Sequence, residues 1–217
     1  MGSSKMKTQD LIGLLAQNPM PAAAPVRQQL SRALLGSALV CGALLLVFWG
    51  LNPDMGTMAT NPAFVTKMLW LLALAVFSAR GLLRLSRPGV GAGSTFWGLA
   101  MALLAMGSLG LIQSLQASPD SRMALWMGSS WQTCSLSILA LSLPVLGALL
   151  WALRQMAPTR PALAGAAAGA MAACVASGIY SLHCTETAYG FFTAWYGGGM
   201  LAVSALGALL GSRLLRW

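Results

Sequence analysis

Six apolar runs, each about as long as a membrane-crossing helix, leave this chain few choices of fold. They are approximately Arg32–Leu51, Phe64–Leu85, Thr95–Leu115, Trp131–Leu153, Pro161–Leu182 and Phe191–Leu214. A helix rising about 1.5 Å per residue needs roughly 20 apolar residues to cross the hydrocarbon of a bilayer. With 57% hydrophobic and 8% charged residues, and a mean hydropathy of +0.72, the chain has too little polar surface for a water-soluble globule. The expected fold is an all-α integral membrane protein of six transmembrane helices, with residues 31–217 forming that domain. The first run is too long for the apolar core of a signal peptide and is not followed by a small-x-small cleavage motif, so it reads as a retained anchor. Met1-Gly2-Ser3-Ser4-Lys5 reads as a cloning remnant ahead of a native start at Met6.

The basic residues set the orientation. Lys5, Lys7, Arg27 and Arg32 precede the first run, Arg80, Arg84 and Arg87 close the second, Arg154 and Arg160 join the fourth to the fifth, and Arg213 and Arg216 close the sixth. Eleven of the 13 Lys and Arg therefore fall on one side, with only Lys67 and Arg122 on the other. The positive-inside bias places both termini in the cytoplasm. A net charge of +9 would suit nucleic acid only if it were clustered beside stacking aromatics; here the basic residues punctuate apolar runs, so no direct nucleic-acid contact is expected.

Residues 6–30 then form a cytoplasmic tail and linker. Thr8 to Gln17 has the pattern of a short amphipathic helix: Thr8 as N-cap, Asp10 in the first turn, and Leu11, Leu14 and Leu15 at helical spacing with Ile12 beside them. So short a helix is unstable alone in water, and its leucine face calls for a partner groove or a lipid surface. The proline-rich Asn18–Pro25 segment ends it and serves as a spacer.

Chemistry is concentrated at two span ends. Cys134 follows Gly128-Ser129-Ser130-Trp131-Gln132-Thr133 at the mouth of the fourth run, and His183-Cys184 stands at the mouth of the next. Counting outward from the turn at Ala157, the two thiols emerge at similar heights on the face opposite that turn, away from the arginines. Oxidation of the pair would close a loop of roughly 50 residues, a constraint worth about 4 kcal/mol in a chain-entropy account. The same thiols, with His183 and Glu186, suit a soft cation. Cys41 and Cys174 lie mid-run, where cysteine behaves as a small hydrophobe.

Other chemistry is poorly represented. No Asp, Glu, Lys or His falls in the middle of a run, which counts against ion-coupled transport. A lone His183 cannot provide bis-histidine haem ligation, and no cofactor motif is found. A rhomboid-type protease needs a G-x-S-G serine within a helix, and Gly128-Ser129-Ser130-Trp131 is not that motif. Two alternatives stay open: a small-solute transporter or channel, and a membrane thiol-disulfide protein. Gly165-x-x-x-Gly169 and Gly207-x-x-x-Gly211 allow close helix approach; they suit packing within one bundle and leave homo-oligomer formation open.

The segments Met6–Ala16, Leu51-Asn52-Pro53-Asp54, Asn61-Pro62-Ala63-Phe64, Gly128-Ser129-Ser130-Trp131 with Cys134, Ala157–Pro161, His183-Cys184, Trp195-Tyr196-Gly197 and Arg213–Trp217, in that order and spacing, resemble the NrsF family of bacterial membrane anti-sigma factors. The resemblance implies a regulator, not an enzyme, that holds an extracytoplasmic-function (ECF) sigma factor at the inner membrane until a signal arrives. It implies that the tail engages the sigma factor through Asp10, Leu11, Ile12, Leu14 and Leu15. It also implies that Cys134 and Cys184 are the paired outward cysteines linked to oxidative or heavy-metal stress.

Overall fold

Proline fixes where several of the long helices begin. It lacks an amide hydrogen and its φ suits a first helical turn, so it is tolerated there and not further in. In the computed structural model, which describes Thr8, Gln9, Gly13 and residues 25–216 other than Pro88, helix α1 (Val26–Phe48) starts directly after Pro25. Helix α2 (Pro62–Leu85) starts on Pro62, and the Asn61 side chain caps it by accepting the Ala63 amide hydrogen at 2.9 Å. Helix α5 (Pro161–Tyr180) starts on Pro161. The remaining long helices are α3 (Thr95–Gln116), α4 (Trp131–Arg154) and α6 (Tyr189–Leu214), the last passing through one π-helical stretch at Phe192–Tyr196. Among the described residues all regular structure is helical, and these are six helices long and apolar enough to cross a membrane.

Most helix ends differ from the sequence expectation by one to a few residues, and two of these differences have a clear physical reason. Helix α1 begins at Val26 instead of Arg32, because nothing after Pro25 breaks a helix and Arg27 and Arg32 can ride on its exposed flank. Helix α5 ends at Tyr180, where a tight turn carries Leu182 and Cys184 back toward the bundle. The tail residues Asp10, Leu11, Ile12, Leu14 and Leu15 lie outside the described residues.

Hydrogen bonds between connections show that the helices alternate in direction. At one end the Gly89 amide donates to Thr159 Oγ1 at 3.3 Å, and Arg84 Nε donates to the Gly91 carbonyl, so the α2–α3 and α4–α5 turns meet. At the other end the Asn52 amide donates to the Leu182 carbonyl at 3.1 Å, and Glu186 accepts from Ser129. The α1–α2, α3–α4 and α5–α6 connections therefore share the end that carries Cys134 and Cys184.

Helix α5 is the central strut. Its buried face is built from Ala164, Gly165, Ala168, Gly169, Ala172 and Ala176, which have almost no side chain to hold neighbours away. It packs on α6 most extensively, and also on α4, α2 and α1. The two glycine motifs face each other within the chain: a Cβ on Gly165 would strike the Gly207 carbonyl, a Cβ on Gly207 would strike the Gly165 carbonyl, and one on Gly169 would lie 2.5 Å from the Val203 carbonyl. Close backbone approach without side chains is what holds transmembrane helices together where lipid removes the hydrophobic drive. Pro144 sits inside α4, which continues through it to Arg154.

Gly207→Ala should therefore separate α5 from α6 and destabilise the bundle by about 1–3 kcal/mol, the usual range for an overpacked contact. Gly147→Ala, where nothing lies within 4 Å of the added carbon, should be tolerated. Thermal denaturation of the two variants in detergent checks both.

Candidate functional site

The site forms where the α3–α4 connection meets the α5–α6 connection. After the short helix Pro119–Met127 the chain must turn sharply, and Gly128 does so with φ +60°, a conformation that side-chain-bearing residues rarely adopt. Space requires glycine there as well, since a Cβ would run into the Phe191 ring. The turn aims two successive serines at one carboxylate. Glu186 Oε1 accepts from the Ser129 amide and hydroxyl, each at 2.7 Å, and from the Ser130 amide and hydroxyl, each at 3.3 Å. Such charge-assisted bonds are stronger than neutral ones and fix the two loops against each other. Trp131 then packs on Trp195 with ring centroids 5.1 Å apart; the Trp195 indole donates to the Trp126 carbonyl and its own carbonyl accepts from Ser135 Oγ, both at 2.8 Å.

Beneath this clamp Cys134 and Cys184 meet and hydrogen-bond through their side chains. Both are free thiols, and both are buried, at 0% and 4% exposure. The sequence places them facing outward at the mouths of two runs; the structure pairs them but folds them inward. The reason is the turn after Tyr180, whose carbonyl accepts the His183 and Cys184 amides at 3.0 and 3.1 Å. The bond from Cys134 pulls the Cys184 thiol below the ordinary thiol range; the charge of Lys67, the Tyr196 hydroxyl and the Glu186 amide act in the same direction, against the opposing effect of burial. A cavity of about 380 Å³ at this end is bordered by Trp49, Asn52, Thr133, Tyr180, His183 and Cys184, while Cys134 does not border it. A small thiol-reactive molecule thus meets Cys184 first.

Lys67 completes the site. It lies in the second turn of α2, and the sequence reading counts it only as a stray charge near that span's end. In the structure it is wholly buried, and its ammonium has no hydrogen-bond partner among the described residues. Three rings surround it instead, with Nζ 4.8 Å from the Phe192 centroid, 5.2 Å from Phe64 and 5.6 Å from Tyr196. Two of these rings come from the π-helical stretch of α6, whose extra residue per turn presents both toward α2. Lys67 interacts electrostatically with Cys184, Cys134 and Glu186.

Of the residues named from sequence, the structure brings Cys134, Cys184 and Glu186 into one site. His183 borders the cavity and faces the Tyr180 ring at 5.8 Å. Among the described residues no group of three or more His, Cys, Asp or Glu converges closely enough to hold a metal ion. Sequence reasoning misses Lys67, Tyr196 and the clamping role of Glu186. A signal for the first existed: Phe64 stands three residues before Lys67, on the same helical face. Cys41 and Cys174 pack as small hydrophobes, with Ser78 Oγ 3.9 Å from the Cys174 sulfur. A second cavity, of about 480 Å³, opens between α2, α3, α5 and α6; its lining has no Asp, Glu, Lys, Arg or His, so it offers no ion-coupling group.

Residues 15–217 match the protein family described as NrsF, negative regulator of sigma F. A probable anti-sigma-F factor NrsF of Azospira oryzae is 38% identical over 216 residues, covering 98% of this chain and 100% of that protein. The anti-sigma-F factor NrsF of Caulobacter vibrioides is 37% identical over 215 residues, with the same coverage of both chains. No solved structure matches the chain.

Glu186→Ala should release the Gly128–Cys134 turn. It leaves two amide hydrogens and two hydroxyls without their acceptor, at a cost of about 1–3 kcal/mol. Hydrogen exchange at the Ser129 and Ser130 amides should accelerate, whereas exchange in the α5–α6 contact should be unchanged.

Proposed function

The chain belongs to the NrsF family of negative regulators of sigma F, and on that premise we propose that it holds an ECF-type sigma factor at the bacterial inner membrane and releases it when the Cys134–Cys184 pair is oxidised or bound by a thiophilic metal. The carrying observation is the thiol pair itself, two hydrogen-bonded sulfurs beside a cavity in an otherwise apolar bundle. The charge bias of the connections supports an orientation with both chain ends in the cytoplasm and the thiol end outside. The leucine-bearing tail then lies on the side where a sigma factor is found. Membrane lipid is the other partner, and no direct nucleic-acid contact is needed.

The chemistry at the outer end is simple. The Cys184 thiolate attacks a peroxide oxygen, the O–O bond breaks, and the leaving oxygen takes a proton. Cys134 then displaces hydroxide from the resulting sulfenic acid, giving a disulfide and water. Two electrons and two protons leave the pair in all. We infer that closing the disulfide shifts the loops that carry the two sulfurs, and that α4 and α5, which lead to Cys134 and Cys184, convey this shift to the cytoplasmic end.

Two experiments test the halves separately. Burying a leucine side chain is worth roughly 1.5–3 kcal/mol, so Leu11→Asp with Leu15→Asp should weaken sigma-factor binding by about two to four orders of magnitude. Co-purification from the native host should be lost, as it should be on removing the tail at Pro25; retention would end the tail assignment. Cys134→Ser with Cys184→Ser should keep sigma-factor binding but leave target genes silent under peroxide or cadmium, and normal induction would remove the sensor assignment.

A further inference from the structure

We propose that the cavity between α2, α3, α5 and α6 holds an acyl chain of a phospholipid whose anionic headgroup is gripped by Arg84 and Arg160. The site lies toward the end opposite the thiols and uses none of the residues of the sensor reading. Helix α3 creates the opening. It packs on α2, where the Trp70 indole donates to the Ala102 carbonyl at 2.9 Å, and it meets α6 at Tyr189–Tyr196, where Gly110 closes on the Gly190 backbone. Toward the basic end it stands apart from α5 and α6, leaving about 480 Å³. Buried Leu74, Ser78 and Gly81 of α2 form the floor, and exposed Phe96 of α3, Leu163 of α5 and Leu201 of α6 form a lateral rim. On a bundle that crosses a bilayer, that rim faces lipid.

The lining selects the chain. Water settles in a cavity only where several polar groups hold it. Among the lining residues the polar side chains are Ser78, Thr95, Ser204 and the Cys174 thiol, and Ser204 already donates to the Met200 carbonyl at 2.8 Å. Leu74 and Leu85 stand 11 residues apart on α2, so the cavity runs about 16 Å along that helix, roughly half of the ~30 Å hydrocarbon core and hence the depth of one leaflet.

The charge at the mouth selects the headgroup. Ala92 lines the cavity between Gly91 and Gly93. Arg84 Nε donates to the Gly91 carbonyl at 3.1 Å and its guanidinium lies against Gly93, while Arg160 Nη1 lies 3.8 Å from where a Cβ on Gly91 would stand. Two guanidinium groups thus close on one short loop at the basic end. Among the described residues neither has a carboxylate partner, because Asp54, Asp120 and Glu186 all sit in connections at the thiol end. A phosphate supplies the missing counter-charge, and a guanidinium binds it through paired hydrogen bonds. Basic pockets between transmembrane helices take anionic headgroups for this reason.

The test is native mass spectrometry of the full-length protein released from nanodiscs of equal phosphatidylglycerol and phosphatidylcholine, read as the ratio of the two lipids retained. The unaltered protein should retain phosphatidylglycerol in preference. A basic residue beside an anionic headgroup is worth roughly fivefold in affinity, so Arg84→Gln with Arg160→Gln should lower the ratio by about tenfold or more. Arg27→Gln with Arg32→Gln removes the same charge from α1, which does not line the cavity, and should leave the ratio unchanged. Ala100→Phe fills the cavity from α3 and should reduce retention of both lipids; should it fail to fold, Ala100→Leu carries the same comparison. Equal retention of the two lipids by the unaltered protein, an equal fall in the α1 pair, or full retention in a folded Ala100 variant each overturns the proposal.

Discussion

The close approach of α5 and α6 is the contact on which the rest of the bundle depends. In lipid, helices gain nothing by hiding apolar side chains from one another, so backbone proximity and shape must do the work. Gly165 and Gly169 on α5 meet Gly207 and Gly211 on α6, and no Cβ fits between them. The alanine-rich remainder of α5 makes it the thinnest helix of the six, which lets α4, α2 and α1 pack around it as well. With larger residues there, α2 and α4 would stand further apart, and Lys67 and Cys134 could not share a site with a residue at the end of α5.

That geometry explains why the polar chemistry collects at one end. The α5–α6 connection leaves the central helix, so its first residues, Cys184 among them, are enclosed by the neighbouring helices while Thr185 and Thr187 remain exposed. Cys184 and Glu186 are on it, and each finds its partner on the neighbouring α3–α4 connection or the first turn of α4. At the opposite end the connections carry arginines, and their contacts are single bonds such as Arg84 to Gly91 and Gly89 to Thr159. One end is packed and sulfur-bearing, and the other is exposed and basic.

Much of this was legible in the sequence. Hydropathy alone separates the six helices, because a 20-residue apolar run has no competing interpretation, and the two glycine motifs are fixed in position by their spacing. Counting residues from Ala157 placed the thiols at a common height, because helical rise is regular. What counting does not reveal is direction: the turn after Tyr180 bends Cys184 inward, and the Glu186 clamp, a contact between residues 57 positions apart, fixes its loop against the neighbouring one. Lys67 was misread for a related reason. A lysine one turn into an apolar run commonly reaches back to the interface, and beyond Phe64 nothing local to α2 shows that a π-helical stretch some 125 residues later brings two more rings to it.

A wholly buried lysine and two buried free thiols collect at one end of an otherwise apolar bundle. A packed helical bundle transmits a displacement from one end to the other, because its interior is dense and resists compression. Burying a lysine without a hydrogen-bond partner is costly, and that penalty falls on the helix that carries it, α2. Helix α2 runs from Lys67 on the thiol side to Arg80 and Arg84 on the basic side, and Arg84 holds the next connection through Gly91. A displacement at one end of so rigid a rod is therefore felt at the other, where arginines border the connections.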